Sequence, residues 1–456
     1  MKRNHKLFFS VVLCLVLMLG LCTICFAASP EGTPAELEGV DIRGAYTAIG
    51  ILVVAFILFF TEALPLAITS MLVPIALAFP GVGILPGKSA FQNFGEQWVV
   101  TFMAIFIVGE AIFRTGLASK IGDAILSIAG TKPRRIIVIM GTTIGIISAF
   151  LSNSATMALF APVLVSVART AGLKPSQILM PMAFFICLGG NMTLMGASSK
   201  GVLNGLMEKM DVAAFGFFDY TPIGVVLFAI GILYFGLIGW KLLPIVDAAE
   251  SDEGEKKKNV MRPEKMVYAV IAFAIVIITM ASGWLAPPVA AMVGMVIVVV
   301  SGCLTIKEAY ESVNWTTIFL FAGMLAMGDA LVATGADVMI AYYVSQFISS
   351  PMVLLIAIYV LTMVITNFMS NTAAAAVATP IAISSAVQFG VSPLPYCMAV
   401  GIAASLCFMT PVATPANTIA FGLGGYKFKD FAKVGLPLQL LMTIAGIIFI
   451  PIFFPF

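Results

Sequence analysis

Ser152-Asn153-Ser154 and Ser370-Asn371-Thr372 each set hydroxyls around an amide in the middle of an apolar stretch. An asparagine side chain offers two donors and an acceptor, and each neighbouring hydroxyl adds a donor and further acceptor sites. Such groups in hydrocarbon are tolerated only where the freed backbone is buried in protein or lines a water-filled cavity, so the pair marks a cavity. Two motifs facing each other can hydrogen-bond a small anion from opposite sides. The half-helix that starts after each motif points its N-terminal amide dipoles at the same spot, which favours negative charge there. Carbonyls at the end of the preceding arm suit Na⁺ instead. Further along each half comes a second interruption, Gly189-Gly190-Asn191-Met192-Thr193 leading to Gly196-Ala197-Ser198-Ser199-Lys200, and Thr410-Pro411-Val412-Ala413-Thr414-Pro415-Ala416-Asn417. Glycine and proline at this density break a helix and free carbonyls to ligate a cation.

The elements that position these residues must lie in a membrane. Of 456 residues, 61% are hydrophobic and 10% charged, which excludes a water-soluble globular protein. The apolar runs are continuous rather than alternating, so the fold class is an all-α polytopic membrane protein and not a β-barrel. A net charge of +2 argues against a nucleic-acid partner. His5 is the only histidine and sits in the basic N-terminal tip, so no His-based proton relay, metal cluster or Ser-His hydrolase is expected. The seven cysteines, Cys22 and Cys25 included, read as apolar bulk. Gly87-Lys88-Ser89 is not a phosphate loop, because Val82 stands where that loop needs a glycine.

Four segments follow. Residues 1–44 hold an apolar run from Leu7 to about Phe26, either a first span or a signal, and an acidic outer loop. Residues 45–246 and 267–456 form two repeats, joined by the polar linker 247–266. Placing this linker and the basic clusters inside the cell puts 20 of 24 Lys and Arg there, leaving Arg43, Lys88, Lys200 and Lys209 as exceptions. At an offset of 219, Ala90, Gly109, Thr115 and Gly116 recur as Ala309, Gly328, Thr334 and Gly335. At an offset of 218, Ser152, Asn153, Ala155, Pro162, Gly172 and Pro175 recur as Ser370, Asn371, Ala373, Pro380, Gly390 and Pro393. An odd number of crossings separates the copies, so the repeats are inverted. That pattern marks secondary transporters with a site near the midplane.

The chain resembles the divalent anion/sodium symporter family of di- and tricarboxylate and sulfate carriers, from about Thr61-Glu62-Ala63-Leu64-Pro65-Leu66 to the C-terminus. The two Ser-Asn-(Ser/Thr) motifs and the stretch from Ser405 to Asn417 carry the likeness. The resemblance implies about 11 transmembrane helices plus two re-entrant hairpins with the motifs at their tips, and a homodimer in the cell (plasma or inner) membrane working as an elevator. By it, Asn153, Ser154, Asn371, Thr372, Thr414 and Pro415 hold the substrate carboxylates. Ser148, Ser152, Asn153 and the Gly196 carbonyl resemble one Na⁺ site; Thr366, Asn371 and the Met369 and Ala413 carbonyls resemble the other. The expected substrate is a C4 dicarboxylate (succinate, malate or fumarate), with sulfate or another oxyanion as the alternative, driven by Na⁺ coupling or by anion exchange. An enzyme is not expected.

One departure concerns coupling. The family's first-half signature ends in a Pro-Pro-Asn-like sequence, where this chain reads Ser198-Ser199-Lys200. A lysine at depth is costly unless it is paired or reaches water. Either Lys200 snorkels to the outer surface, or its ammonium stands where the first Na⁺ would bind, leaving Na⁺ only at the second-half site. Glu110 and Asp329, at matching repeat positions, are read as either a proton relay or structural groups.

Overall fold

The computed structural model describes residues 37, 40–61, 63–116, 132–246, 261–348, 350–411 and 413–456. The run at Leu7, Cys22, Cys25, most of the linker, Glu62 and Val412 lie outside the described residues. Among the described residues the structure is helical, with no strand.

The first half comprises α1 (Ile42–Thr61), α2 (Leu66–Ala78), α3 (Gly87–Phe91), α4 (Gln97–Arg114), α5 (Pro133–Ser148), α6 (Asn153–Thr170), α7 (Ser176–Gly189), α8 (Ser199–Lys209) and α9 (Thr221–Tyr234). The second comprises α10 (Met266–Ala281), α11 (Pro287–Val300), α12 (Ile306–Ser312), α13 (Trp315–Thr334), α14 (Ala336–Ser345), α15 (Pro351–Thr366), α16 (Asn371–Gln388), α17 (Leu394–Ala403), α18 (Pro415–Gly424) and α19 (Phe428–Phe453). Among the described residues, six helical stretches are long and apolar enough to cross a membrane, and five shorter ones are apolar. The all-α polytopic class therefore holds. Because α1 begins at Ile42, the division between residues 44 and 45 falls inside a helix.

Each Ser-Asn-(Ser/Thr) motif sits at the turn of a helical hairpin, α5–α6 and α15–α16. The turn follows from local chemistry. Ser152 (φ −60, ψ 141) and Ser370 (φ −61, ψ 144) are extended, and their hydroxyls accept from Ala155 N and Ala373 N as N-caps. With 16 residues, α5 rises ~24 Å, short of the ~30 Å hydrocarbon layer. The apolar runs 178–196 and 396–412, continuous in the sequence, are broken in the structure: α7 stops at Gly189 and α8 resumes at Ser199, while α17 stops at Ala403 and α18 resumes at Pro415. Their second arms cross over, α8 packing on α16 and α17, and α18 on α6 and α7. This exchange brings both breaks and both hairpin tips together.

A charge cluster ties the linker's end to both halves. Glu308 accepts from Arg114 Nη1 at 2.8 Å and, through both carboxylate oxygens, from Arg262 at 2.9 and 3.2 Å. It also closes a capping box with Thr305 on α12. Arg114 in turn binds Glu110 at 2.8 Å, and Asp329 is held by Lys209 at 3.3 Å and Asn93 at 2.9 Å. Both carboxylates thus have structural partners. The Arg262 hydrogen bonds, aided by Thr305 and Arg114 and opposed by desolvation, hold Glu308 down at about 2. Its folded pKa lies below the unfolded carboxylate value of ~4.3, so its stabilisation is complete above that pH and is lost as pH falls toward about 2. Glu308→Gln leaves two arginines without their shared acceptor, at ~1–3 kcal/mol. In thermal unfolding in detergent, the gap between wild type and Glu308→Gln should be widest at neutral pH and close below pH ~4. A gap independent of pH down to 2 would refute this account.

Candidate functional site

A cavity of about 310 Å³ separates the hairpin tips. Ser152, Asn153 and Ser154 line it from one side, Ser370, Asn371 and Thr372 from the other, with Gly196–Ser199 and Ala413–Pro415 of the two breaks between them. Of the residues expected to hold substrate, all six line this one space. A third wall, Asn314, Thr316 and Thr317 at the start of α13, went unread in the sequence. Asn314 before a long apolar run is an N-cap signature that could have flagged it, and its side chain does accept from Thr317 N at 3.1 Å. A second cavity of about 330 Å³ shares Phe106, Ser152, Ser154 and Asn314 and runs on to Glu110 and Phe113.

Among the described residues no charged side chain lines the first cavity; its polarity comes from dipoles. The residues immediately preceding five helices, Ser152 (α6), Ser198 (α8), Asn314 (α13), Ser370 (α16) and Thr414 (α18), all lie on its wall. Each brings the positive dipole end of a helix to the same space, an arrangement suited to anionic oxygen. Across the cavity the Ser198 and Thr372 hydroxyls are 3.2 Å apart.

Behind the wall lie oxygen clusters. Asn153 Oδ1 is 3.0 Å from Ser148 Oγ, and the same amide position is 3.1 Å from the Ile186 and Gly196 carbonyls. Oxygen facing carbonyl oxygen requires either that the amide turn its nitrogen to donate to the two carbonyls or that a cation sit among them. An all-oxygen donor set fits a hard cation such as Na⁺. In the second half Thr366 Oγ1 is 2.9 Å from Asn371 Oδ1 and 2.6 Å from the Ala404 carbonyl. Cys407 Sγ also donates to Asn371 Oδ1 at 3.3 Å, so this cysteine is more than bulk. Ser148, Thr366 and Met369 are buried behind the cavity, whereas Ser152, Gly196 and Ala413 reach it. The hydroxyls of Thr193 and Thr410 bond the hairpin-tip carbonyls of Ala149 and Asn367, fastening each break to its hairpin.

Lys200 does not snorkel, being fully buried at 0% exposure. Nor do its hydrogen bonds go to Ser148, Ser152, Asn153 or the Gly196 carbonyl; they go to the carbonyls of Gly190 and Thr193.

Relatives match this chain over most of their length. An uncharacterised transporter of Synechocystis is 23% identical across 87% of this chain and 95% of its own. The sodium-dependent dicarboxylate transporter SdcS of Staphylococcus saprophyticus is 26% identical across 84% of this chain and 81% of its own. The YdaH transporter of Alcanivorax borkumensis, at 14% identity, shares the fold with a TM-score of 0.60 over 98% of both chains. With residues 56–393 matched by the citrate transporter (CitMHS) family, the chain belongs to that family and is a multi-pass membrane transporter, not an enzyme.

Proposed function

We propose that this transporter is a secondary active carrier of small divalent anions, first of all C4 dicarboxylates such as succinate, malate or fumarate. The observation that carries the reading is the convergence of five helix starts on one cavity that no charged side chain lines among the described residues. Amide dipoles and hydroxyls hold an anion firmly enough to bind and without a fixed counter-charge on the wall to prevent release. Asn153 and Ser154 take one carboxylate; Asn371, Thr372, Thr414 and Pro415 take the other. Na⁺ couples the cycle through the oxygen sets at Ser148, Ser152, Asn153 and Gly196, and at Thr366, Met369, Asn371 and Ala413, or through the second alone. The sodium-dependent relative supports that choice.

Residues 45–246 and 267–456 act as inverted repeats about the linker 247–266, which faces the cytoplasm. The recurrence of Ser148–Asn153 as Thr366–Asn371 and of Thr193–Ala149 as Thr410–Asn367 supports the repeat. The carrier is a homodimer in the cell membrane and moves the site as an elevator; the mostly unburied face of the span Pro263–Ala281, 22% buried, is available to lipid or to a second copy. Sulfate is the second reading, favoured because the neutral lining contains nothing selective for carboxylate over another dianion.

Uptake of radiolabelled succinate into proteoliposomes, with and without external Na⁺ and competed by malate or sulfate, tests this. Saturable uptake inhibited by malate is expected. Uptake suppressed by sulfate alone transfers the assignment to oxyanions, and absence of uptake of either overturns it.

A further inference from the structure

Lys200 and Asn417 do the same mechanical work. Lys200 Nζ donates to the carbonyls of Gly190 at 2.9 Å and Thr193 at 2.7 Å. Asn417 Nδ2 donates to the carbonyls of Cys407 at 2.8 Å and Thr410 at 3.0 Å. Residues 200 and 417, 190 and 407, and 193 and 410 are each 217 apart. In both halves a side chain from the resuming helix therefore reaches back and satisfies the same two carbonyls of the unwound segment, which would otherwise be orphaned at depth. A neutral amide is enough for that task in the second half.

The first half uses a lysine, whose ammonium form carries a charge. Lys200 is fully buried, its ammonium rests 4.1 Å from the centroid of the Tyr220 ring, and among the described residues no carboxylate forms an ion pair with it. Carbonyls and a ring face solvate an ammonium but leave its charge uncompensated. The Gly190 carbonyl that it grips belongs to a residue packed on the motif: a Cβ at Gly190 would stand 2.4 Å from Asn153 Oδ1. The charge thus lies about one residue behind Asn153 and its oxygen cluster, and behind the cavity wall at Ser198 and Ser199.

Resting on the transport reading above, we infer that Lys200 is a built-in counter-cation. Its ammonium compensates a dianion in the cavity and repels Na⁺ from the cluster of Ser148, Asn153, Ile186 and Gly196, so that Na⁺ coupling runs through the second half alone. It does this from the neighbouring carbonyls and not by occupying the Na⁺ position itself. At an effective dielectric of ~20, a unit charge a residue's width away changes the affinity for another ion by roughly tenfold or more. A carrier with amides at both positions would draw one more cation from solution per dianion.

The experiment measures succinate uptake and Na⁺ dependence in proteoliposomes for wild type and Lys200→Asn, which places Asn417's side chain in the first half. In wild type a Na⁺ dependence with a Hill slope of about one or less is expected. In Lys200→Asn the slope should rise by about one, and succinate affinity at low Na⁺ should fall about tenfold or more. A wild-type slope of two or more overturns the inference whether or not the variant folds. So does a folded Lys200→Asn protein with unchanged slope and affinity. Failure of wild type to take up any dianion would overturn the transport reading instead, and the two failures are distinct.

Discussion

Succinate uptake is expected to fall to background in both Asn153→Ala and Asn371→Ala, although the two residues lie 218 positions apart. Each asparagine has one face on the cavity and the other on buried polar atoms: oxygens of Ser148, Ile186 and Gly196 for the first, the Thr366 hydroxyl and the Cys407 thiol for the second. Truncation removes a substrate group and leaves those buried partners unsatisfied, at about 1–3 kcal/mol, or roughly 5- to 150-fold per site in affinity. Two carboxylates held from opposite sides also need both halves for orientation, so the loss in rate exceeds the loss in affinity. The hairpins themselves should persist, because the caps at Ser152 and Ser370 are untouched. Purified variants should therefore elute as folded protein and melt somewhat below wild type, by the cost of those unsatisfied groups, while failing in uptake. Normal transport by either variant, present in the membrane in normal amount, would refute a shared site.

The motifs were legible because polar residues cannot occur at depth without a reason, and because they occur twice at one spacing. The broken helices were legible as breaks for the same reason, through Gly189-Gly190 and Pro411 with Pro415, although hydropathy alone ran straight through them. What a single chain does not display is which arm packs on which. The crossing of α8 to α16 and of α18 to α6 joins residues hundreds of positions apart, and no local pattern encodes it. Asn314 was missed on that account: its cap is local, but its place on the cavity wall depends on where α13 docks. The sequence leaves Glu110 between a proton relay and a structural group, without showing which partners would hold it. The structure supplies Arg114 four residues on, a spacing that brings two side chains together on a helix, and beyond it Glu308 and Arg262. Lys200 is the subtler case. Its departure from the expected asparagine was plain, but the carbonyls it holds became identifiable only when Asn417 was seen holding their counterparts.

Gly190→Ala is expected to abolish transport without unfolding the protein. Its φ of −57 and ψ of −17 lie in a region open to alanine, so the backbone conformation itself does not oppose the substitution. The added methyl, however, would stand 2.4 Å from Asn153 Oδ1 and 2.9 Å from the Gly196 carbonyl oxygen. Those are two members of one oxygen cluster, and moving either breaks the geometry on which Asn153 depends. The counterpart position in the second half carries Cys407, whose thiol faces Asn371 as a hydrogen-bond donor; there a side chain is part of the arrangement, whereas in the first half the backbone itself fills that place. Gly422→Ala serves as the control, since a Cβ there meets nothing within 4 Å. In proteoliposomes Gly422→Ala should transport as wild type, and Gly190→Ala should lose succinate uptake by about a hundredfold, the effect of losing roughly 3 kcal/mol of substrate binding. Wild-type uptake by Gly190→Ala would mean that Asn153 can leave its oxygen cluster at no cost, and the first-half site would have to be redrawn without it.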